Sequence, residues 1–134
     1  MTAAALSGAV AAAVGLAVAG ALGAVVRHLA VTVGSRRGDT GRAAAIAVCN
    51  LLGALALAGL VVADRRGVVG TWSLLVVGTG FCGAVTTFST WVVDVVAAWH
   101  GGQRHRVVLV GVDLVGQLVV GVLLASLVVR WAAG

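Results

Sequence analysis

The chain has no proline, no tyrosine, no lysine and no glutamate, and only four of its residues are acidic, all aspartate. Every positive side chain other than histidine is an arginine. Charged residues make up 10% of the chain, whereas a soluble domain carries about a quarter. That shortage, against 61% hydrophobic residues, leaves almost nothing from which to build a soluble domain. The missing glutamate removes the usual partner for metal-assisted hydrolysis. Asp39 and Asp64 lie in short polar segments, His100 and His105 share another, and no Ser/His/Asp set falls on plausible neighbouring segments. The chain is therefore not expected to be an enzyme. Cysteine is nearly absent too. Cys49 and Cys82 are far apart, lie inside apolar runs and have neither metal-ligand nor redox spacing, so they read as small buried residues. The net charge of +5 does not imply nucleic acid. The arginines sit in the gaps between apolar runs, as they do in membrane proteins, and form no basic stripe on a soluble surface.

Four long apolar runs are what remain. A membrane-spanning helix needs about 20 apolar residues. Spans are expected at about 6–33, 43–63, 71–99 and 107–129, giving a single four-helix transmembrane domain over residues 1–134 in contact with the lipid bilayer. The polar segments between them are "GSRRGDTGR" (34–42), "DRRG" (64–67) and "HGGQRHR" (100–106), short enough for an antiparallel bundle. Trp72, Trp99 and Trp131 fall at span ends, where interfacial aromatics belong. The first run lacks a basic leader and outlasts the apolar core of a signal peptide, so it is expected to be a span. Arg36, Arg37, Arg42, Arg104 and Arg106 lie on one side, and Arg65, Arg66 and Arg130 on the other. This near balance fits a chain inserted in both orientations and, equally, a weakly biased single orientation.

The third run is unusual. From Trp72 to Trp99 an unbroken helix would extend about 40 Å, against about 30 Å of hydrocarbon. Inside it lies "FCGAVTTFSTW" (81–91), in which Thr86, Thr87, Ser89 and Thr90 place four hydroxyls in five positions around Phe88. Gly78, Gly80 and Gly83 come just before. Such residues allow a membrane helix to unwind where the freed backbone is buried in protein or lines a cavity, and a break is expected near Gly83 to Thr87. Unwound carbonyls at that depth can coordinate a cation. The other reading is a straight tilted helix whose hydroxyls bond back to their own backbone. As a lining, hydroxyls donate to an anion and aromatic rings offer it a positive edge. That combination holds a small anion weakly enough for it to leave.

Polar residues inside the other spans are the remaining candidates. Asn50 lies in the second span, either as glue between helices or in contact with a ligand. Arg27 sits near the end of the first span, where it snorkels or holds an anion vestibule. In the fourth span Asp113 and Gln117 share a face with Gly121. They read as a polar track along a pathway, or as a clamp to Arg27 or Asn50. Asp94 lies one turn beyond the hydroxyl cluster, nearer a vestibule.

"GAVTTFSTW" (83–91) resembles the signature of the Fluc (CrcB) family of fluoride channels. "GALGAVVRH" (20–28) is similar to the family's first-span segment, and "AVCNLLGALALAG" (47–59) to its second-span Asn and Gly pattern. The resemblance extends over essentially the whole chain. It implies an all-α membrane protein of four transmembrane helices with the third helix broken, paired as an antiparallel, dual-topology dimer in the cell (inner or plasma) membrane. A structural sodium ion, not transported, would be held at the dimer interface by backbone carbonyls of Gly83 and Thr86. Fluoride would pass along Phe88, Trp91, Asn50, Thr87, Ser89 and Thr90, with Arg27 matching the first-span arginine. The partner would be a second copy or a related four-span subunit. The sequence departs from the pattern at Ala84 and Trp91, and its fourth span carries Asp113 and Gln117 in place of the usual tyrosine. The implied function is passive export of cytoplasmic fluoride. Two alternatives stay open. One is a proton-coupled small multidrug exporter, for which Asp113 is the embedded acid. The other is a non-conducting partner subunit.

Overall fold

The computed structural model describes residues 2–133, except for the side chains of Trp91 and Ala133. The described residues form helices and turns only. In chain order these are α1 (Ala3–Ser35), α2 (Gly38–Arg65), α3 (Thr71–Val85), α4 (Ser89–His100) and α5 (Arg104–Ala133). Helices α1, α2 and α5 are each long and apolar enough to cross a membrane. Apolar residues point outward along them, as in the stripe Leu6, Val10, Val14, Val18 and Leu22 on α1, because lipid is the solvent for that face.

Small residues let the helices meet. Gly15, Ala19 and Gly23 recur every fourth position on α1 and face α3. A Cβ at Gly15 would lie 3.0 Å from both Trp72 and Val76, and one at Gly80 would lie 3.0 Å from Ala19 and 3.2 Å from the Leu16 carbonyl oxygen. The first polar segment, expected as a loop over 34–42, is mostly helical. Only Arg36 and Arg37 separate α1 from α2. A Cβ at Gly34 would sit 2.5 Å from the Gly41 carbonyl oxygen, so the two helices touch as soon as the chain turns. Gly38 takes φ +80° at this turn, a conformation that favours glycine.

Within α3, residues Leu74–Cys82 form a π-helix, and the next amide, Gly83 N–H, still reaches back five residues to the Gly78 carbonyl. Such widened turns are rare and often mark functional segments. The helix then stops at Val85. Thr86 is extended (φ −76°, ψ 148°), and helix resumes at Ser89. The break therefore covers 86–88, slightly later than the glycines suggested. Gly83 itself is helical (φ −62°, ψ −32°).

The broken pair sets the site's geometry. Helix α4 runs antiparallel to α2, since Asn50 bonds Thr87 while Arg42 bonds Asp94. Helices α2 and α5 run parallel, tied by Asp39 with Arg106 at one end, Asn50 with Gln117 midway, and Arg66 with the Ala132 carbonyl at the other.

Candidate functional site

The break is held by one side chain. Asn50, on the face of α2 that also buries Ile46, Cys49 and Gly53, reaches the unwound segment. The Thr87 N–H donates to Asn50 Oδ1 at 2.8 Å, and Asn50 Nδ2 donates to the Thr87 carbonyl oxygen at 3.4 Å. The amide thus replaces, at Thr87, the backbone partners that the helix no longer supplies. Thr87 is only 8% exposed, so those groups have no water to fall back on. Gly53, just under one turn beyond Asn50, makes the approach possible. A Cβ there would be 2.6 Å from Thr86 Cγ2.

The hydrogen-bond chain continues onto α5. Asn50 Nδ2 also donates to Gln117 Oε1 at 3.3 Å, and Gln117 Nε2 donates to Asp113 Oδ2 at 2.7 Å. Of the two sequence readings for Asp113 and Gln117, the clamp to Asn50 is realised, through Gln117. Arg27 takes no part in it. It is half-buried, and among the described residues it makes no hydrogen bond or ion pair.

The four hydroxyls separate into two groups. Thr86 Oγ1 bonds back to the Cys82 and Gly83 carbonyl oxygens at 3.1 and 3.2 Å, which is the self-satisfying behaviour of a helix-terminal threonine. The other three converge. Thr87 Oγ1 lies 3.3 Å from Ser89 Oγ and 3.1 Å from Thr90 Oγ1. Phe88, the last residue of the break, is 58% exposed. The Trp91 side chain, expected beside it, lies outside the described residues.

Asn50, Gly83, Thr86, Thr87, Phe88 and Gln117 all line one groove of about 1010 Å³ between α2, the break and α5. Its far end reaches Ser126 and Arg130. A second cavity of about 440 Å³ lies towards the starts of α2 and α5 and includes Arg42, Asp94, Arg106 and Asp113. Gln117 in the first and Asp113 in the second are hydrogen-bonded, so a polar contact joins the two spaces. Sequence reasoning missed Arg42 as a site residue and took it for a loop charge. It donates to both Asp94 oxygens, at 2.9 and 2.8 Å. Its spacing eight residues before Asn50 was the available signal.

Three helices long and apolar enough to cross a membrane, with a largely aliphatic groove that carries hydroxyls, amides and one aromatic ring beside an unwound helix, describe a multi-pass helical membrane protein. The chain belongs to the CrcB family (CrcB-like protein, Camphor Resistance), which it matches over residues 6–129. It is 40% identical over 114 residues to fluoride-specific ion channel FluC 2 of Haloarcula marismortui, covering 83% of this chain and 87% of that one. It is 42% identical over 71 residues to fluoride-specific ion channel FluC 1 of Nocardia farcinica, covering 53% and 47% respectively. With fluoride-specific ion channel FluC of Synechocystis it shares 43% identity over 56 residues, covering 42% and 43%. The matched region is thus a little under half the length of these last two relatives.

Proposed function

We propose that this chain is a fluoride-selective channel subunit that lets cytoplasmic fluoride leave down its gradient. The observation that carries this reading is the Asn50 clamp on Thr87. It keeps a buried helix break open beside three converging hydroxyls and an exposed phenylalanine ring. In this reading α3 and α4 together make the remaining crossing, so the chain spans the membrane four times. Hydroxyl and ring-edge donors strip water from a small, hard anion without a fixed positive charge that would trap it. Membrane vesicles loaded with potassium fluoride and holding the purified chain should release fluoride on addition of a potassium ionophore, with no proton gradient and with little chloride release. Equal chloride release would refute selectivity, and a strict need for a proton gradient would point to the exporter. Efflux that appears only after a related four-span chain is added would identify a partner subunit.

The functional unit in this reading is an antiparallel dimer bridged by sodium. Two features support it. Nothing among the described residues donates to the Thr86 carbonyl, an orphan acceptor at the break. Gly83 is exposed, and a Cβ placed on it meets nothing within 4 Å in its own chain. The Gly83 carbonyl keeps a free lone pair after accepting from Thr86 Oγ1. Oxygen donors of this kind suit a hard cation, and two from each chain would hold it. Gly83→Ala should leave the folding of a single chain unharmed, since alanine is favoured over glycine in a helix by about 1 kcal/mol. If Gly83 is at the interface, the same change should weaken dimer retention and sodium dependence, read by cross-linking in sodium and in a bulky organic cation. Unchanged dimer and efflux after exhaustive sodium removal would refute the bridge.

A further inference from the structure

We infer that Arg42 and Asp94 are positioning residues which fix the second half of the broken helix against α2. The functional arm of this inference rests on the channel reading above, whereas its structural arm does not.

After the break, α4 has lost the covalent rigidity of a continuous helix with α3. Helix α4 packs along α5 and scarcely meets α2, so polar anchors from α2 are what tie its first turn, which carries Ser89 and Thr90, to the register that holds Thr87. Helix α2 provides two polar anchors. Asn50 holds Thr87, and Arg42 holds Asp94. The anchors are eight residues apart on α2 and their targets seven apart along the break and α4. At 1.5 Å per residue the α2 interval is about 12 Å; the target interval is at least about 10 Å, and longer by what the non-helical Thr87 and Phe88 add, so two antiparallel segments can engage both points in one register. Asp94 is four residues beyond Thr90 and so shares its face. The ion pair therefore acts on the same side of α4 as that hydroxyl.

The local environment makes the pair consequential. One nitrogen, Arg42 Nη1, contacts both Asp94 oxygens at 2.9 and 2.8 Å. The two side chains are 33% and 27% exposed and line the smaller cavity. Fully exposed pairs contribute little, but removing one partner of a partly desolvated pair leaves the other charge uncompensated. A second ion pair, Arg106 with Asp39, joins α5 to α2 and is more exposed. Because a single nitrogen serves both oxygens, a lysine ammonium can make the same contact, so Arg42→Lys is the conservative variant.

The test pairs a distance with a flux. Spin labels are placed at Val48 on α2 and Val93 on α4, both exposed, in a full-length Cys49→Ala, Cys82→Ala background in membrane vesicles, with unlabelled chain in excess. In the parent the distance distribution should be narrow. It should broaden in Arg42→Met and in Asp94→Asn, and narrow again in Arg42→Lys and in the double swap Arg42→Asp, Asp94→Arg. Fluoride efflux should fall roughly tenfold in the two disruptive variants and recover at least in part in Arg42→Lys. An unchanged distance distribution in Arg42→Met would overturn the inference. So would broadening that neither lysine nor the swap reverses, which would mean that local packing rather than the charge pair holds α4. If the parent chain conducts no fluoride, the channel reading fails and the distances alone still decide the clamp.

Discussion

Replacing Asn50 with leucine should lower fluoride efflux by roughly a hundredfold and destabilise the break by about 2–4 kcal/mol, the cost of leaving buried amide groups without partners. Leucine keeps the volume but removes both the acceptor for the Thr87 N–H and the donor to Gln117 Oε1. The orphaned N–H lies at a residue that is only 8% exposed, so relief requires the break to refold or to admit water. Either response displaces Thr87, on which the hydroxyls of Ser89 and Thr90 converge. Asn50→Asp separates the two functions of the amide. A carboxylate still accepts from Thr87 N–H, the shortest of the three bonds, but it cannot donate to the Thr87 carbonyl or to Gln117 and it puts a negative charge beside the anion path. This variant should keep the fold, measured by thermal melting in detergent, and lose the flux. Near-parental efflux from Asn50→Leu would remove Asn50 from the pathway and leave it as helix glue.

The largest effect on folding is expected from Gly23→Val. The missing side chain at Gly23 faces the Phe81 carbonyl oxygen in direct contact, with Ala84 Cβ at 3.1 Å and the Phe81 carbonyl carbon at 3.2 Å. Two of these three neighbours are backbone atoms of α3 and cannot swing aside. Overpacking of this kind costs about 1–3 kcal/mol or more, and a backbone obstacle places it at the upper end. The displaced element is the last turn of α3, so the break would shift with it. Gly8→Val is the matched control, because a Cβ at Gly8 meets nothing within 4 Å and both changes carry the same small helix-propensity gain. Monodisperse protein recovered from membranes should be near parental for Gly8→Val and severely reduced for Gly23→Val. Equal yields would mean that α1 does not pack on α3 through this glycine.

How much of this could be read beforehand depended on the range of the interaction involved. Apolar length alone marked three of the helices, because the bilayer sets the number of residues a crossing needs. The stretch from Trp72 to Trp99 was too long for one straight span, and the glycines and hydroxyls around 83–87 indicated where it could yield. The turn between α1 and α2 was misjudged. Its polar composition looked like a loop, while the close Gly34–Gly41 approach that shortens it depends on two helices meeting. The hydroxyl cluster was visible as a string of residue types. That Thr86 turns back on its own helix, while Thr87 gathers Ser89 and Thr90, was not visible, because the break rotates the two sets apart.

Composition and spacing, by themselves, determined that this is a multi-pass membrane protein with an overlong third run and a neutral polar cluster within it. These are local properties, written in hydropathy and in the conformational freedom of glycine. That the run is broken there, rather than straight and tilted, was decided by the structure. Only the tertiary structure decided which polar residues meet: Asn50 with Thr87 and Gln117, and Arg42 with Asp94. Those pairs are separated by 37, 67 and 52 positions along the chain. Their meeting depends on helix register and crossing direction, which are set where small residues let backbones touch.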